Sequence, residues 1–227
     1  MSNRLKGLVS EIDIPCSVAD IGTDHAYIPI YLAQNFECEK VIATDAKLGP
    51  YQVAKENIKS FDLEDKIEVR LGQGLDVLKP HEIKTVVIAG MGGNTILEIL
   101  EGNEGVRDSI VRFILQPMNA SASLRKWLIN NHFQIIDEKL IKDNDKFYEI
   151  IIIEAGQEVI LDEFLLEIGP RLIEKESKYY RDFLHNKRRR WQQILSSLPE
   201  IDNLEVINKK KNLKNKLIRI QEVIRCL

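Results

Sequence analysis

The stretch VVIAGMGGNTI, residues 86–96, constrains this chain more than any other. Four buried-strand residues, Val86 to Ala89, run into a turn with glycine at 90, 92 and 93, and a helical pattern follows at once. Strand, tight turn and helix in that order are half of a βαβ unit, which belongs in a parallel sheet covered on both faces. The turn then emerges at the carboxyl edge of the sheet, where ligands bind in open α/β folds. Glycine at such a turn lets another group approach the backbone closely.

A second unit of the same kind, VADIGTDHAYIPIYL (18–32), has a polar turn. Along the first two-thirds of the chain, strands are predicted at 17–21, 40–44, 66–70, 85–89, 112–115, 134–136 and 148–154. Helical patterns lie near 2–12, 26–35, 50–60, 94–101 and 120–132. This alternation predicts an α/β fold with a doubly wound, Rossmann-like parallel sheet. The end differs: 133–141 and 147–154 are separated only by the polar turn 142–146, so the last strand must run antiparallel.

From 157 onward the strand signals stop. Residues 160–198 read as one long helix with an interruption at Gly169-Pro170. Residues 203–227 read as a second helix, with Leu213, Leu217, Ile220, Ile224 and Leu227 stepping by 4, 3, 4 and 3, the coiled-coil spacing. Leu198-Pro199-Glu200 makes the turn of a helical hairpin. The reading is two domains, 1–156 and 157–227. Charge divides with them: from 157 onward there are 15 Lys+Arg against 11 Asp+Glu, in a chain whose net charge is −3. A basic segment on an acidic chain points to a polyanionic partner. No apolar run is long enough for a signal peptide or a membrane span, which predicts a cytoplasmic protein. Cys16, Cys38 and Cys226 lie far apart without ligand spacing and read as isolated thiols, with neither a disulfide nor a metal site expected.

Four turns after parallel strands carry ligand-type residues. Asp20-Ile21-Gly22-Thr23-Asp24-His25 sets a carboxylate and a glycine before a helix, and the absence of GxGxxG and GxxxxGK[ST] disfavours NAD and a P-loop. Asp45 ends the second strand about 20 residues on from that turn, where an acidic side chain binds ribose hydroxyls. Gln73, Gly74 and Leu75 follow the third strand, where Gln73 suits an adenine edge. Ala89, Gly90, Met91, Gly92 and Gly93 follow the fourth. All four turns emerge on one edge of the sheet, which points to a nucleotide-like ligand.

The segments VADIGTDHAYIPIYL, IATDAKLGPYQVAKENI, VRLGQGLDVL, VVIAGMGGNTILEIL, FILQPMNASASLRKWL and FYEIIIIEAG together resemble the bacterial tRNA (adenine-22-N1)-methyltransferases, of the class I methyltransferase fold. The resemblance covers roughly residues 3–156, and DIGTDHAY with AGMGG is its specific part. It implies S-adenosyl-L-methionine (SAM) as cofactor and tRNA as substrate. By motif position, Asp20, Gly22 and His25 would hold the methionine part, Asp45 the ribose, and Gln73, Gly74 and Leu75 the adenine. Ala89, Gly90 and Met91 would line the reactive end. One departure is Met118 in Gln116-Pro117-Met118-Asn119, which places Asn119 one residue later than in many relatives.

On this reading Gly92 and Gly93 leave room for the target adenine, Gln116 or Asn119 hydrogen-bonds its edge, Tyr27 stacks on or orients it, and Asp24 answers the developing charge or accepts a proton from the exocyclic amine. Lys187, Arg188, Arg189 and Arg190, with Lys209, Lys210 and Lys211, would touch tRNA phosphates. A monomer is expected. The alternatives are a class I methyltransferase acting on a small molecule and a non-catalytic SAM- or RNA-binding module.

Overall fold

The computed structural model describes residues 1–175, 179–200 and 203–227. In chain order its elements begin with α1 (Asn3–Val9), β1 (Cys16–Ile21), α2 (Tyr27–Asn35), β2 (Cys38–Asp45), α3 (Leu48–Ser60) and β3 (Ile67–Leu71). A 3-10 turn at Gly74–Val77 leads to β4 (Thr85–Met91), α4 (Gly93–Gly102), α5 (Glu104–Arg107), β5 (Arg112–Pro117) and α6 (Ser121–Asn130). Then come β6 (Phe133–Asp143), β7 (Lys146–Ala155), α7 (Glu163–Ile168), α8 (Pro170–Lys175), α9 (Tyr180–Ser197) and α10 (Leu204–Cys226).

Seven strands form one sheet in the order β3-β2-β1-β4-β5-β7-β6. β1 to β5 pair parallel, while β7 runs antiparallel to both β5 and β6. The order reverses between β1 and β4, the switch point where open α/β sheets leave a crevice. The β6–β7 hairpin closes more tightly than the polar stretch suggests, with Asp143 paired to Lys146. Asn144 takes the left-handed conformation that asparagine tolerates.

Both faces of the sheet are covered, and side chains alternate between them. Val18, Val41 and Ala43 pack with Leu8, Ile28, Leu32 and Ile58 from α1, α2 and α3. Ala19, Ile21, Ile42 and Ile88 pack with Ile96, Leu100, Leu124 and Leu128 from α4 and α6. This two-sided burial is why the central strands read as unbroken apolar runs.

The three cysteines do not all stay apart. Cys16 and Cys38 are joined in a disulfide, which corrects the expectation of isolated thiols for this pair. Twenty-two residues of sequence separate them, but they occupy paired positions on neighbouring strands, 4.4 Å apart at Cα. Cys226 is free and exposed.

The chain divides into two compact units, Met1–Glu167 and Ile168–Leu227. The first reaches past the last strand because α7 is tied to α6. Arg125 Nη1 donates to the Leu166 carbonyl at 2.8 Å, and Lys126 pairs with Glu163 at 2.7 Å. The helix expected over 160–198 is broken at Gly169-Pro170: Gly169 has φ +86° and Pro170 opens α8. Its residues 176–178 lie outside the described ones. In the second unit α9 and α10 pack against each other, with Leu184, Trp191, Leu213, Ile220 and Ile224 buried and Leu217 half-buried.

Candidate active site

The turn after β1 is held in an unusual backbone shape. Gly22, Asp24 and Ala26 all have positive φ, at +72°, +52° and +56°. Two of the three are not glycine, a conformation that costs on the order of 1–3 kcal/mol per residue and concentrates at functional sites. Three bonds impose it. Thr23 N–H donates to the Thr44 carbonyl at 2.8 Å, and Asp24 N–H donates to Asp45 Oδ2 at 3.3 Å. The Thr23 hydroxyl donates to Asp20 Oδ2 at 2.6 Å. Asp20 lies beneath the turn, buried, and that burial pushes its carboxyl up to about 6 against the pull of the Thr23 hydroxyl and the nearby Arg4 charge.

Asp45 ends β2 with its carboxylate fixed at both oxygens, since Oδ1 accepts from Lys47 N–H at 2.9 Å. Gly72 N–H donates to the Asp45 carbonyl at 3.0 Å, which locks the turn after β3 beside it. Gly74 there has φ +53°. These turns and one face of α4 enclose a cleft of about 570 Å³. Of the residues singled out in sequence, Gly22, Asp24, Asp45, Gln73, Gly74, Leu75 and Met91 line it. Thr44, Lys47, Thr95, Glu98 and Ile99 also line it and carry no recognisable sequence signal. Met91 lies across the mouth of the β1 turn, its methyl where a Cβ on Gly22 would sit. Gly22 is thus needed for the packing of Met91 as well as for its own backbone angle.

His25 and Tyr27 stand outside this cleft, stacked on each other with ring centroids 5.2 Å apart. Tyr27 is 55% exposed. The Asp24 carboxylate is 3.5 Å from His25 Nε2, and both groups reach solvent. Asp24 does not cap α2, whose cap residue is Ala26.

The turns after β4 and β5 hold the remaining candidates, and most of their polar groups are already in use. Gln116 is fully buried. Its Oε1 accepts from Arg4 Nη1 at 2.7 Å, and its Nε2 donates to the Pro117 carbonyl at 3.1 Å. Asn119 Oδ1 accepts from Gly93 N–H at 3.2 Å, at the start of α4. Met118 is half exposed, and its N–H donates to the Met91 carbonyl at 2.7 Å. A Cβ on Gly93 would meet the Asn119 and Ala120 carbonyl oxygens at 2.9 and 3.1 Å, so this glycine makes room for the neighbouring loop. A Cβ on Gly92 would meet only the Asn119 side chain, at 3.3 Å. Ala89 is half-buried and Gly90 exposed, with φ +78° at Gly90 and Arg4 Nη1 3.3 Å from where its Cβ would be. Arg4 also lies over the Tyr148 ring. It comes from α1, more than a hundred residues from Gln116, so spacing gives no hint of it.

Behind these loops sits a buried charge network. Arg125 is fully buried between Glu138, at 2.6 Å, and Glu149, at 2.7 Å. The Ser121 hydroxyl also donates to Glu149 at 2.9 Å. The two carboxylates hold the guanidinium charged despite its burial. This fixes the start of α6, and with it the 116–120 loop.

The basic residues of the second unit fall into two groups. Arg188 donates to Gln221 across the helix pair, and Lys187 lies over the Phe183 and Trp191 rings. Arg189, Arg190, Lys209 and Lys211 are exposed, and Lys210 is half-exposed. Among the described residues no cluster could hold a metal ion, and no helix is long and apolar enough to cross a membrane.

Comparison with known proteins agrees with this geometry. The family model for tRNA (adenine(22)-N(1))-methyltransferase matches residues 18–222. The Bacillus subtilis tRNA (adenine(22)-N(1))-methyltransferase is 31% identical over 230 residues, covering 99% of this chain and 97% of its own. The crystal structure of Streptococcus pneumoniae Sp1610 in complex with S-adenosyl-L-methionine is similar at TM-score 0.88 and 33% identity, covering 99% of both chains. M. capricolum TrmK in complex with S-adenosyl-homocysteine is similar at TM-score 0.82 and 30% identity, again covering 99% of both chains. With its sheet order, its cleft and this full-length similarity, the chain belongs to the tRNA (adenine(22)-N(1))-methyltransferase family.

Proposed function

We propose that the cleft binds SAM and that this chain transfers its methyl group to N1 of adenine 22 in tRNA. The observation that carries the reading is the convergence of the β1, β2, β3 and β4 turns on one cleft around a pinned Asp45 carboxylate. The donor set fits the cofactor. Each Asp45 oxygen keeps acceptor capacity beyond its backbone bond, as two ribose hydroxyls require. Gln73 offers an exposed amide, and Leu75 with Ile99 offers apolar faces for adenine. Gly22 and Met91 border the end where the methionine part belongs. Asp20 acts there through the turn it braces, and His25 contributes its backbone turn while its ring lies at the rim.

When bound, SAM supplies a methyl carbon activated by the adjoining sulfonium. The nucleophile is the N1 lone pair of adenine, so no side chain has to remove a proton before attack. The chain must align the base and answer the positive charge it acquires. Asp24 places an anion at the cleft mouth for that charge. Tyr27, backed by His25, offers an exposed ring on which an unstacked base can rest. Gly90 and Gly92 leave clearance, whereas Gly93 serves the loop packing. Gln116 is a positioning residue, because both ends of its amide are bonded within the chain, whereas exposed Asn119 gives only its Oδ1 to Gly93 N–H and keeps its Nδ2 for the edge of the base.

The first unit, which takes in the expected domain 1–156, carries the transfer and the helical unit Ile168–Leu227 holds the tRNA, in a cytoplasmic, monomeric enzyme. Arg189, Arg190, Lys209, Lys210 and Lys211 meet phosphates, while Arg188 ties the helix pair together and Lys187 lies over aromatic rings of its own helix. The test is incubation of the purified chain with labelled SAM and unmodified tRNA, followed by nucleoside analysis. Label in 1-methyladenosine at position 22 supports the reading. Label elsewhere, or none, overturns it. Replacing Arg189 and Arg190 by Ala should flatten the salt dependence of tRNA binding, by about 1 in log–log slope for each phosphate that is no longer neutralised, and leave SAM affinity unchanged.

A further inference from the structure

Thr44 is the last core residue of β2 before Asp45 and is 1% exposed. Its Oγ1 is the one buried side-chain polar atom without a hydrogen-bond partner among the described residues. Buried hydroxyls in native proteins are almost always paired, and an exception calls for a cause. Nothing in the packing supplies one. Two residues earlier on the same strand, Ile42 is part of the apolar layer with Ile21, Leu75 and Ile88. By the alternation of the strand, Thr44 extends that column to the floor of the cleft, which it lines beside Asp45, Gln73, Gly74 and Leu75. Valine has the same shape, the same preference for strands, and no polar group to bury.

The backbone of Thr44 is meanwhile held in place. Its carbonyl accepts Thr23 N–H at 2.8 Å, so the bonds that shape the β1 turn also fix where the hydroxyl lies. A fixed, desolvated donor on a cleft floor is a ready-made recognition group: it costs the folded chain an unmade bond until a ligand supplies the acceptor.

We infer that the Thr44 hydroxyl donates a hydrogen bond to the adenosine half of the cofactor, making Thr44 a cofactor-binding residue alongside Asp45. The inference rests on reading the cleft as the SAM site. The adenosine half is indicated because Thr44 directly precedes Asp45, the ribose candidate, and the cleft on the β3 side of its strand is lined by Gln73, Gly74 and Leu75; on the β1 side Thr44 pairs with Ile21. The methionine half falls to the β1 and β4 turns.

The experiment measures the affinity of the purified full chain and its T44V and T44S variants for SAM, for S-adenosyl-homocysteine and for 5′-methylthioadenosine, which lacks the amino-acid part. Their ligand-free melting temperatures are measured alongside. T44V should weaken all three ligands by a similar factor of about 5–10, the scale of one hydrogen bond to a neutral acceptor. T44S should bind within about twofold of the unaltered chain, and T44V should melt no lower than it. Unchanged affinity in T44V overturns the inference. So does a loss confined to the two ligands that carry the amino-acid part, which would move the hydrogen bond to the methionine half. A lower ligand-free melting temperature for T44V also overturns it, because the hydroxyl would then serve the fold. If the unaltered chain fails to bind SAM, the cofactor reading falls and takes this inference with it. Binding by the unaltered chain with no change in T44V removes the Thr44 role alone.

Discussion

The two halves of the sheet's carboxyl edge are built differently. On the side of β1, β2 and β3, side chains face a cleft, and one buried hydroxyl there lacks a partner. On the side of β4 and β5, the buried polar groups are turned inward: Gln116 is bonded to Arg4 and Arg125 to two carboxylates, while exposed Asn119 commits its Oδ1 to Gly93 N–H. The first arrangement is a receptor formed before its ligand arrives. The second is a braced frame, with Gln116, which looks catalytic in sequence, spent on holding its loop in place. The difference fits the two reactants of the family's reaction: a small cofactor and a base carried on a tRNA.

The sharpest way to break the comparison is at the paired glycines. Gly93 is packed against backbone oxygens that cannot swing away, so Gly93→Val should cost several kcal/mol, on the order of an overpacked core substitution or more. Gly92 faces only the Asn119 side chain, and its φ of −64° is open to any residue. Gly92→Val should therefore keep the melting temperature within a few degrees and abolish methyl transfer, with SAM affinity retained. A fully active Gly92→Val, or a stable Gly93→Val, would show that the β4 turn is not divided into a clearance glycine and a packing glycine.

The next effect is expected at Arg4. Removing its guanidinium leaves Gln116 Oε1 buried without a donor, a loss of about 1–3 kcal/mol. Arg4→Met should lower kcat with tRNA about tenfold through the displaced 116–119 loop and change SAM affinity less than twofold. Combined with Gln116→Leu, it should give a coupling of about 1–2 kcal/mol in stability. Additive effects, or a large loss of SAM affinity, would place Arg4 in the cofactor half.

How far the sequence could be read follows the same division. The alternation of strands and helices, the antiparallel ending and the helix break at Gly169-Pro170 are legible because they depend on local periodicity and on two residues with fixed backbone demands. The cleft residues Gly22, Asp45, Gln73 and Gly74 are legible because each lies at the end of its own strand or within three residues past it. The roles of Gln116 and Asn119 are not, since an amide's partner is a tertiary fact: Arg4 and Gly93 lie 112 and 26 residues away. Thr44 is hidden for the opposite reason, because a β-branched residue in a strand needs no explanation until its hydroxyl is found alone. The Cys16–Cys38 bond is likewise a consequence of strand register, which spacing in the chain does not reveal.

The smallest predicted effect concerns Asp20, which lies beneath the β1 turn on the cofactor side. Burial raises its carboxyl to about 6, while the unfolded chain holds it at the ordinary 3.8. Between those values the folded state binds the proton more tightly than the unfolded state. Its contribution is therefore fully present below about pH 4 and lost as pH rises through 6. Across the whole window this amounts to about 3 kcal/mol, and between pH 8 and pH 5 to a part of it. Asn at this position can still accept the Thr23 hydroxyl and carries no charge, so Asp20→Asn should lose that component of the pH dependence. Urea unfolding at pH 5, 6, 7 and 8 should show the variant gaining on the unaltered chain as pH rises, with no loss of stability at pH 8. A difference that stays flat across this range would mean that Asp20 is already compensated by Thr23 and Arg4. The β1 turn would then be a satisfied frame like the β4 and β5 turns, and the contrast between the two halves would rest on Thr44 alone.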